Sequence, residues 1–334
     1  MRITIQKLIS LTLLINFYTV IYCQIIKGTV LDSNTNDPIG FAYLYFSGTF
    51  AGTQSDQYGI FELDVSKITS RPLTVSAIGY YSTTINEYVT SKQLTVYLVP
   101  KLYELRVVNI NARSLARKRK SNMILFKNEF LGRTSNASGC EILNENDITF
   151  NYDSDDDTLK AYASQPIRID NKALGYKITY YLDKFEYIRK TKSFSFKGDM
   201  IFNEDLSIGA EQKEVFEKKR KYAYLGSRMH FFRALWYNDL KSTGFIVKNR
   251  SYVNLKYKDL VFQDPYENKY LKYSDDLGIC YFSKEPLSDI KFLKEKVFFG
   301  KDGYFDPSGI VWEGEMARLR VADWLPYEYA LKEY

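Results

Sequence analysis

Hydrophobic and polar residues alternate with a period of two through most of residues 24–110. In the first run, Ile26 and Val30 fall on one face of an extended chain and Lys27 falls on the other. Such runs recur with turn residues between them, which is typical of half-buried strands. Six or seven strands in about 85 residues predict an all-β sandwich of two antiparallel sheets.

The turn and core residues of this region also follow a distinctive order. They are Gly28, Val30, Asp32, Pro38, Ile39, Ala42, Gly48, Thr49, Gly52, Thr53, Asp56, Gly59, Phe61, Leu73, Val75, Ile78, Gly79 and Tyr80. In this order they resemble the carboxypeptidase-like regulatory domain. The resemblance implies a prealbumin-like sandwich of about seven strands. Such a domain accompanies a zinc peptidase domain in metallocarboxypeptidases, and it occurs without a peptidase in Bacteroidetes envelope proteins.

The alternation breaks at residues 111–122, where five arginines and lysines fall between Arg113 and Lys120. This basic segment predicts a solvated linker or the first turn of a helix. Contact with anionic lipid headgroups or with an acidic partner is the alternative. Residues 123–334 are expected to form a strand-rich α+β domain of unknown function.

Within the second domain, alternating and helical runs can be told apart. Residues 174–183 and 193–202 alternate and predict two strands. Residues 229–240 have apolar side chains at helical spacing, with Ser227 as the N-cap and Gly244 beyond the end. Further strands are expected at residues 252–262, 278–282 and 310–321.

The motifs of the second domain carry a broader resemblance. They include Phe126-x-x-x-Phe130-Leu131-Gly132, Leu174-Gly175-Tyr176, Tyr224-Leu225-Gly226-Ser227-Arg228-x-His230-Phe231-Phe232-Arg233 and Ala322-Asp323-Trp324-Leu325-Pro326. Together with the N-terminal region, these motifs resemble uncharacterised Bacteroidetes envelope proteins that have a carboxypeptidase-like regulatory domain. This resemblance spans most of the chain and implies no particular activity.

The N-terminus is expected to direct export. Arg2 and Lys7 accompany an apolar stretch of about 14 residues, which is short of the roughly 20 that span a bilayer. A signal peptide over residues 1–23, cleaved between Cys23 and Gln24, accounts for this pattern, and acylation of Cys23 is the alternative. The expected location is the periplasm, the outer membrane or the exterior, with no transmembrane helix in the mature chain.

Composition and charge narrow the possible chemistry. The chain has 334 residues, of which 45% are hydrophobic and 26% charged, with a net charge of +6. Loss of Arg2 and Lys7 with the signal peptide would leave +4, which is too diluted to predict a nucleic-acid partner. One histidine cannot supply the two histidine ligands of a zinc carboxypeptidase, so this activity is not expected. No cofactor is expected either.

Two groups of side chains are candidates for binding or cross-linking. Arg228, His230 and Arg233 are expected to belong to a helix whose polar side chains bond local carbonyls or carboxylates, and the alternative is a cluster that contacts an anionic group of a ligand. Cys140 and Cys280 remain after loss of the signal peptide. A disulfide between them and a pair of buried free thiols are both compatible with export.

An acidic run offers a further candidate. Asp153, Asp155 and Asp157 have the spacing of the first ligands of a calcium loop. However, Thr158 occupies the position of the loop glycine, and Ser164 occupies that of the bidentate glutamate. A solvated turn is therefore expected, and a weak calcium site at Asp153, Asp155 and Asp157 is the alternative.

The expected function is that of a non-catalytic exported envelope protein. It would bind or dock another protein or envelope component through its second domain, with the sandwich as a rigid spacer or docking module. One alternative is an envelope hydrolase with a carboxylate pair drawn from Asp153, Asp183 or Glu313. The other is a carbohydrate-binding protein that uses some of its 29 Tyr and 22 Phe residues.

Overall fold

A computed structural model describes residues 24–66, 68, 71–88, 92–101, 112–206 and 209–331. The expected signal peptide, residues 1–23, and the Cys23 side of its cleavage site lie outside the described residues. Among the described helices, none combines the length and the apolar character that crossing a bilayer requires.

The N-terminal region folds as a sandwich of two sheets. One sheet has three strands and the other has four, so the predicted sandwich of about seven strands is confirmed. Its strands are β1 (Ile25–Asp32), β2 (Tyr43–Tyr45), β3 (Gly52–Gln54), β4 (Ile60–Asp64), β5 (Leu73–Ser76), β6 (Thr83–Ile85) and β7 (Leu94–Leu98).

The sheets have the orders β4-β1-β7 and β3-β2-β5-β6. Their pairings are antiparallel except that β1 and β7 run parallel, which the expectation of a fully antiparallel sandwich missed. Ile26 and Val30 are fully buried, as their alternation predicted. Gly28 permits the parallel pairing, because a Cβ there would lie 1.9 Å from the carbonyl oxygen of Leu94.

The chain then forms a six-stranded sheet and four helices. The order of the main path is β8-β11-β12-β10-β9, and β13 pairs with the other edge of β12. The elements are α1 (Ala112–Phe130), α2 (Ser135–Ser138), β8 (Cys140–Ile142), β9 (Ile148–Asp153), β10 (Thr158–Ala163), β11 (Ile167–Asn171), β12 (Tyr176–Ile188), β13 (Ser193–Asp205), α3 (Ala210–Tyr224) and α4 (Arg228–Trp236).

Helix α1 packs on this sheet through aromatic side chains. The ring of Phe126 lies 4.8 Å from that of Phe185, and the ring of Phe130 lies 4.8 Å from that of Tyr180. The basic segment predicted as a linker or first helical turn is helical from Ala112. The Arg119 guanidinium in that segment donates to two backbone carbonyls near the start of β9, which ties the helix to the sheet.

The last third of the described chain builds a separate core from two small sheets and α4. The sheets have the orders β14-β17-β18-β20 and β15-β16-β19, and Phe231, Phe232 and Leu235 of α4 are buried with them. The elements are β14 (Phe245–Lys248), α5 (Tyr257–Leu260), β15 (Val261–Gln263), β16 (Lys269–Leu271), β17 (Leu277–Tyr281), β18 (Ser288–Phe292), β19 (Val297–Phe299), β20 (Ile310–Gly314) and α6 (Glu315–Arg318).

The sandwich contacts the six-stranded sheet along a surface that we call the seam, formed by Tyr45, Gly48, Thr49, Tyr181 and Ile201. The N–H of Gly48 donates to the carbonyl of Met200 at 2.8 Å, and Thr49 forms a parallel bridge with Ile201. The ring of Tyr45 stacks on that of Tyr181 at 5.0 Å. A loop of the sandwich thereby covers the outer edge of β13, which would otherwise present unpaired backbone groups.

Candidate functional site

Helix α4 places Arg228, His230 and Arg233 in contact with the protein itself. Ser227 caps the helix, since its hydroxyl accepts the N–H of His230 at 3.2 Å, as the sequence predicted. Arg228 donates to the carbonyl of Leu319 at 2.7 Å. An anion would have to displace such bonds in order to reach these side chains.

The other two members of this group are held in the same way. Arg233 donates to the carbonyls of Asp302 and Tyr327 at 2.9 and 3.0 Å. His230 is 7% exposed, and its Nδ1 accepts the N–H of Gly226 at 3.1 Å. Burial, aided by the charge of Arg233, lowers the pKa of His230 to about 4. The geometry supports the expectation that the polar side chains of this helix bond local groups.

The two cysteines do not form the disulfide that was one of the two expectations. Cys140 begins β8 in the six-stranded sheet, whereas Cys280 lies in β17 of the last third, and both are free thiols. The spacing of two cysteines in the sequence does not say whether their strands belong to the same sheet. Burial raises the pKa of the Cys140 thiol to about 12, which disfavours the reactive thiolate form at neutral pH.

The acidic run forms the turn between β9 and β10. Asp153 accepts the ammonium of Lys160 at 3.3 Å, and Asp157 accepts the hydroxyl of Tyr152 at 2.7 Å. The backbone N–H of Asp155 bonds back to Asp153 at 3.2 Å. No group of three or more metal-binding side chains occurs among the described residues, so the weak calcium prediction gains no support there.

The hydrolase alternative requires two carboxylates that lie close together in one site. Glu313 is paired with Lys291 at 2.6 Å on the surface, but Asp183 lies at the seam beside Asp199. Burial raises the pKa of both aspartates, and Asp183 faces the cation of Lys101. Sequence reasoning missed Asp199, because only the pairing of β12 with β13, in which Asp199 lies opposite Tyr181, shows that it comes near Asp183.

The crevice at the seam is small. Its volume of about 30 Å³ is room for one or two water molecules, far less than a sugar ring needs. It is bordered by a chain of hydroxyls, in which Tyr45 bonds to Ser76 at 3.1 Å and Ser76 bonds to Ser82 at 2.7 Å. The hydroxyl of Tyr181, which also lines the crevice, has no hydrogen-bond partner among the described residues. This arrangement fits a hydrated polar contact between two units of the fold.

A much larger concavity lies in the last third of the chain. It is an open groove of about 750 Å³, within the range of ligand-binding clefts. Helix α5 and strand β15 form one wall, and the chain following β16 and β18 forms the other. We call it the lysine groove and define it by Lys258, Val261, Phe262, Lys272, Phe292 and Lys294.

The charges of the lysine groove are nearly balanced, although its lysines are not all held in ion pairs. Lys272 is paired with Glu295 at 2.6 Å, and Lys294 with Asp306 at 2.8 Å. Lys258 has no ion-pair partner in the described part of the chain. The remaining acid of the wall, Asp259, accepts a backbone N–H at the start of α5. That hydrogen bond leaves the Asp259 carboxylate negative, so the three lysines of the groove are matched by Asp259, Glu295 and Asp306, and any excess positive charge lies at the rim.

Lys296 adds a second ammonium at the rim. Its Nζ lies 4.1 Å from the ring centre of Tyr270 and 5.1 Å from that of Phe262. Such cation–π contacts position an ammonium without neutralising it. The sequence could not predict this groove, since its lysines come from three separate segments that only the two small sheets bring together.

Comparison with known protein families assigns the first part of the chain. Residues 26–110 match the model of the CarboxypepD_reg-like domain. The N-terminal sandwich is therefore similar to a regulatory domain of this kind. The domain is non-catalytic, and the match ends before the six-stranded sheet and the lysine groove. No curated protein matches the chain.

Proposed function

We propose that the protein is a non-catalytic exported envelope protein that binds another protein or envelope component in the lysine groove. The observation that carries this proposal is the groove itself, because its volume, exposed apolar wall and free cations suit a macromolecular ligand. The regulatory-like domain acts as a rigid docking unit. Its fixed position is supported by the hydrogen bonds and ring stacking of the seam.

The two alternative functions find less support. A hydrolase would need Asp183 and Asp199 to line a cleft that admits a substrate, and neither of them lines the crevice or the lysine groove. A carbohydrate platform would need rings that lie in one plane. The ring of Tyr270 is inclined by 43° to that of Phe262 and by 70° to that of Phe298.

Site-specific photocrosslinking tests the proposal. Benzoylphenylalanine replaces Phe262 in the groove or Tyr162 on β10, which are equally exposed at 44%. In an intact envelope fraction, a discrete crosslinked species is expected from position 262 and not from position 162. The additional substitution Lys258→Glu should lower the crosslink yield from position 262. Equal crosslinking from both positions, or none from position 262, would contradict the proposal.

A further inference from the structure

The wall of the lysine groove includes a strand with an open edge. Strand β15 is the outer strand of its three-stranded sheet and pairs only with β16 among the described strands. The N–H of Lys272 donates to the carbonyl of Leu260 at 2.8 Å, and the N–H of Asp264 donates to the carbonyl of Asn268 at 3.0 Å. Backbone groups alternate in direction along an antiparallel strand. Val261 and Gln263 therefore direct their backbone N–H and carbonyl groups away from β16.

These outward groups are free in the described part of the chain, with one exception. The N–H of Val261 donates to the carbonyl of Tyr257 at the end of α5. The carbonyl of Val261 and both backbone groups of Gln263 have no hydrogen-bond partner there. The N–H and the carbonyl of Gln263 can exchange two hydrogen bonds with one residue of an added strand. The carbonyl of Val261 can accept a third hydrogen bond from the residue two positions further along that strand.

The surroundings of this edge specify the chemistry of an added strand. The ring of Phe262 is 44% exposed beside it and can pack on an apolar side chain. Lys258 and Lys296 form no ion pair with a described residue, and the four lysines of the groove and its rim exceed the acids Asp259, Glu295 and Asp306 by one charge. An incoming segment with carboxylates would supply the missing negative charge.

We propose that the lysine groove binds an extended acidic segment of a partner protein, which adds to β15 as a further strand. This inference rests on the proposed function and specifies its partner. Backbone hydrogen bonds to Val261 and Gln263 fix the register of the segment. Its apolar side chains contact Phe262, and its carboxylates meet Lys258 and Lys296.

Fluorescence anisotropy with two labelled octapeptides tests the charge requirement. One peptide alternates Glu and Val, and the other alternates Lys and Val. The Glu–Val peptide is expected to bind at least about tenfold more tightly than the Lys–Val peptide. The double substitution Lys258→Glu with Lys296→Glu should weaken its binding by about tenfold.

A matched control separates local charge from net charge. Lys190→Glu with Lys192→Glu makes the same charge change at the exposed tip of the β12–β13 hairpin, outside the groove. Affinity for the Glu–Val peptide should stay within about twofold in this variant. An equal loss in both double variants would overturn the local contact with Lys258 and Lys296.

Methylation of the peptide backbone tests the added strand. Two Glu–Val peptides carry N-methyl groups on alternate residues, in the two complementary sets. Only one set removes the N–H groups on the peptide edge that faces β15. That peptide should bind at least about tenfold more weakly, while the other peptide should retain its affinity. Equal binding by both peptides would overturn strand addition.

The remaining outcomes distinguish this inference from the proposed function. If neither octapeptide binds while crosslinks from position 262 persist, the acidic-segment inference is wrong and the binding function stands. If crosslinks are also absent, both are wrong. Binding of polygalacturonate, an anionic polysaccharide, without binding of the Glu–Val peptide would show that the groove takes a glycan instead.

Discussion

At the scale of single residues, Arg71 holds the sandwich to the last third of the chain. It is 5% exposed and forms an ion pair with Asp302. Its guanidinium also lies 4.7 Å from the ring centre of Tyr327 and 5.1 Å from that of Tyr304. A buried ion pair contributes little net stability when intact, but removal of one partner leaves an uncompensated charge.

The substitution Arg71→Ala is therefore expected to lower the free energy of unfolding by about 3 kcal/mol. The control is Lys27→Ala, which removes the ion pair of Lys27 with Glu62 in which both side chains are 58% exposed. That change should cost less than about 1 kcal/mol. Urea unfolding measures both variants. Similar losses in the two would show that Arg71 is not a buried anchor.

At the scale of elements, α4 depends on its N-cap. The hydroxyl of Ser227 satisfies one free N–H at the start of the helix, and the helix carries Phe231 and Phe232 into the core of the last third. Ser227→Ala should cost about 1 kcal/mol, while Ser227→Asp should retain most of the stability. Thermal unfolding of both variants checks this. Equal losses would mean that the hydroxyl is not acting as a cap.

The elements that the sequence predicted well are those in which the hydrophobic positions recur with a single period. The alternation of residues 174–183 and 193–202 predicted β12 and β13, which are confirmed although both extend further. Helix α4 ends at Trp236, earlier than expected, because a turn follows before Gly244. Residues 252–262 and 310–321 were expected to be strands throughout. Each contains one helical turn beside a short strand, and such changes of period inside a run are not visible in its hydropathy.

Helix α3 was missed for a different reason. It is rich in Glu and Lys, and Phe216, Arg220, Ala223 and Tyr224 form its buried face. The spacing of these four positions was the available signal. Arg220 breaks the apolar pattern, but its Nε donates to the carbonyl of Leu174 at 2.7 Å. A buried arginine of this kind is recognisable only when its tertiary partner is known.

At the scale of the whole molecule, we expect the stability of the seam between the sandwich and the six-stranded sheet to depend on pH. Burial raises the pKa of Asp199 and of Asp183 above 3.8, the ordinary value for an aspartate in an unfolded chain. Lys101 and Lys197 partly oppose this shift at Asp183. The folded protein therefore holds these protons more tightly. This contribution to stability is full below the unfolded pKa and is lost as pH rises through the folded pKa.

Asp199→Asn should consequently raise the free energy of unfolding at pH values above the folded pKa of Asp199, where the wild-type protein has to bury a charged carboxylate. The gain over wild type should shrink as the pH falls towards 3.8, because the wild-type carboxyl then becomes neutral too. Urea unfolding at several pH values measures this. Asp155→Asn, in the exposed turn, is the control and should show no such gain. A gain of Asp199→Asn that does not vary with pH would contradict the account.

The regulatory-like domain was predictable from the sequence, but the binding site was not. Turn and core residues of the sandwich are close together in the chain, so their order specifies the fold. The lysine groove instead combines α5, β15 and the segments after β16 and β18. Lys258 and Lys294 look like ordinary surface lysines until the strands are paired.

Hydrogen–deuterium exchange of the purified protein, with and without saturating Glu–Val octapeptide, tests the central claim most directly. If a partner strand adds to the groove, the amide of Gln263 exchanges more slowly when the peptide is present, whereas the amides of β10 keep their rates. Unchanged exchange in β15, or slowing that is confined to other elements, would contradict a binding site at this edge.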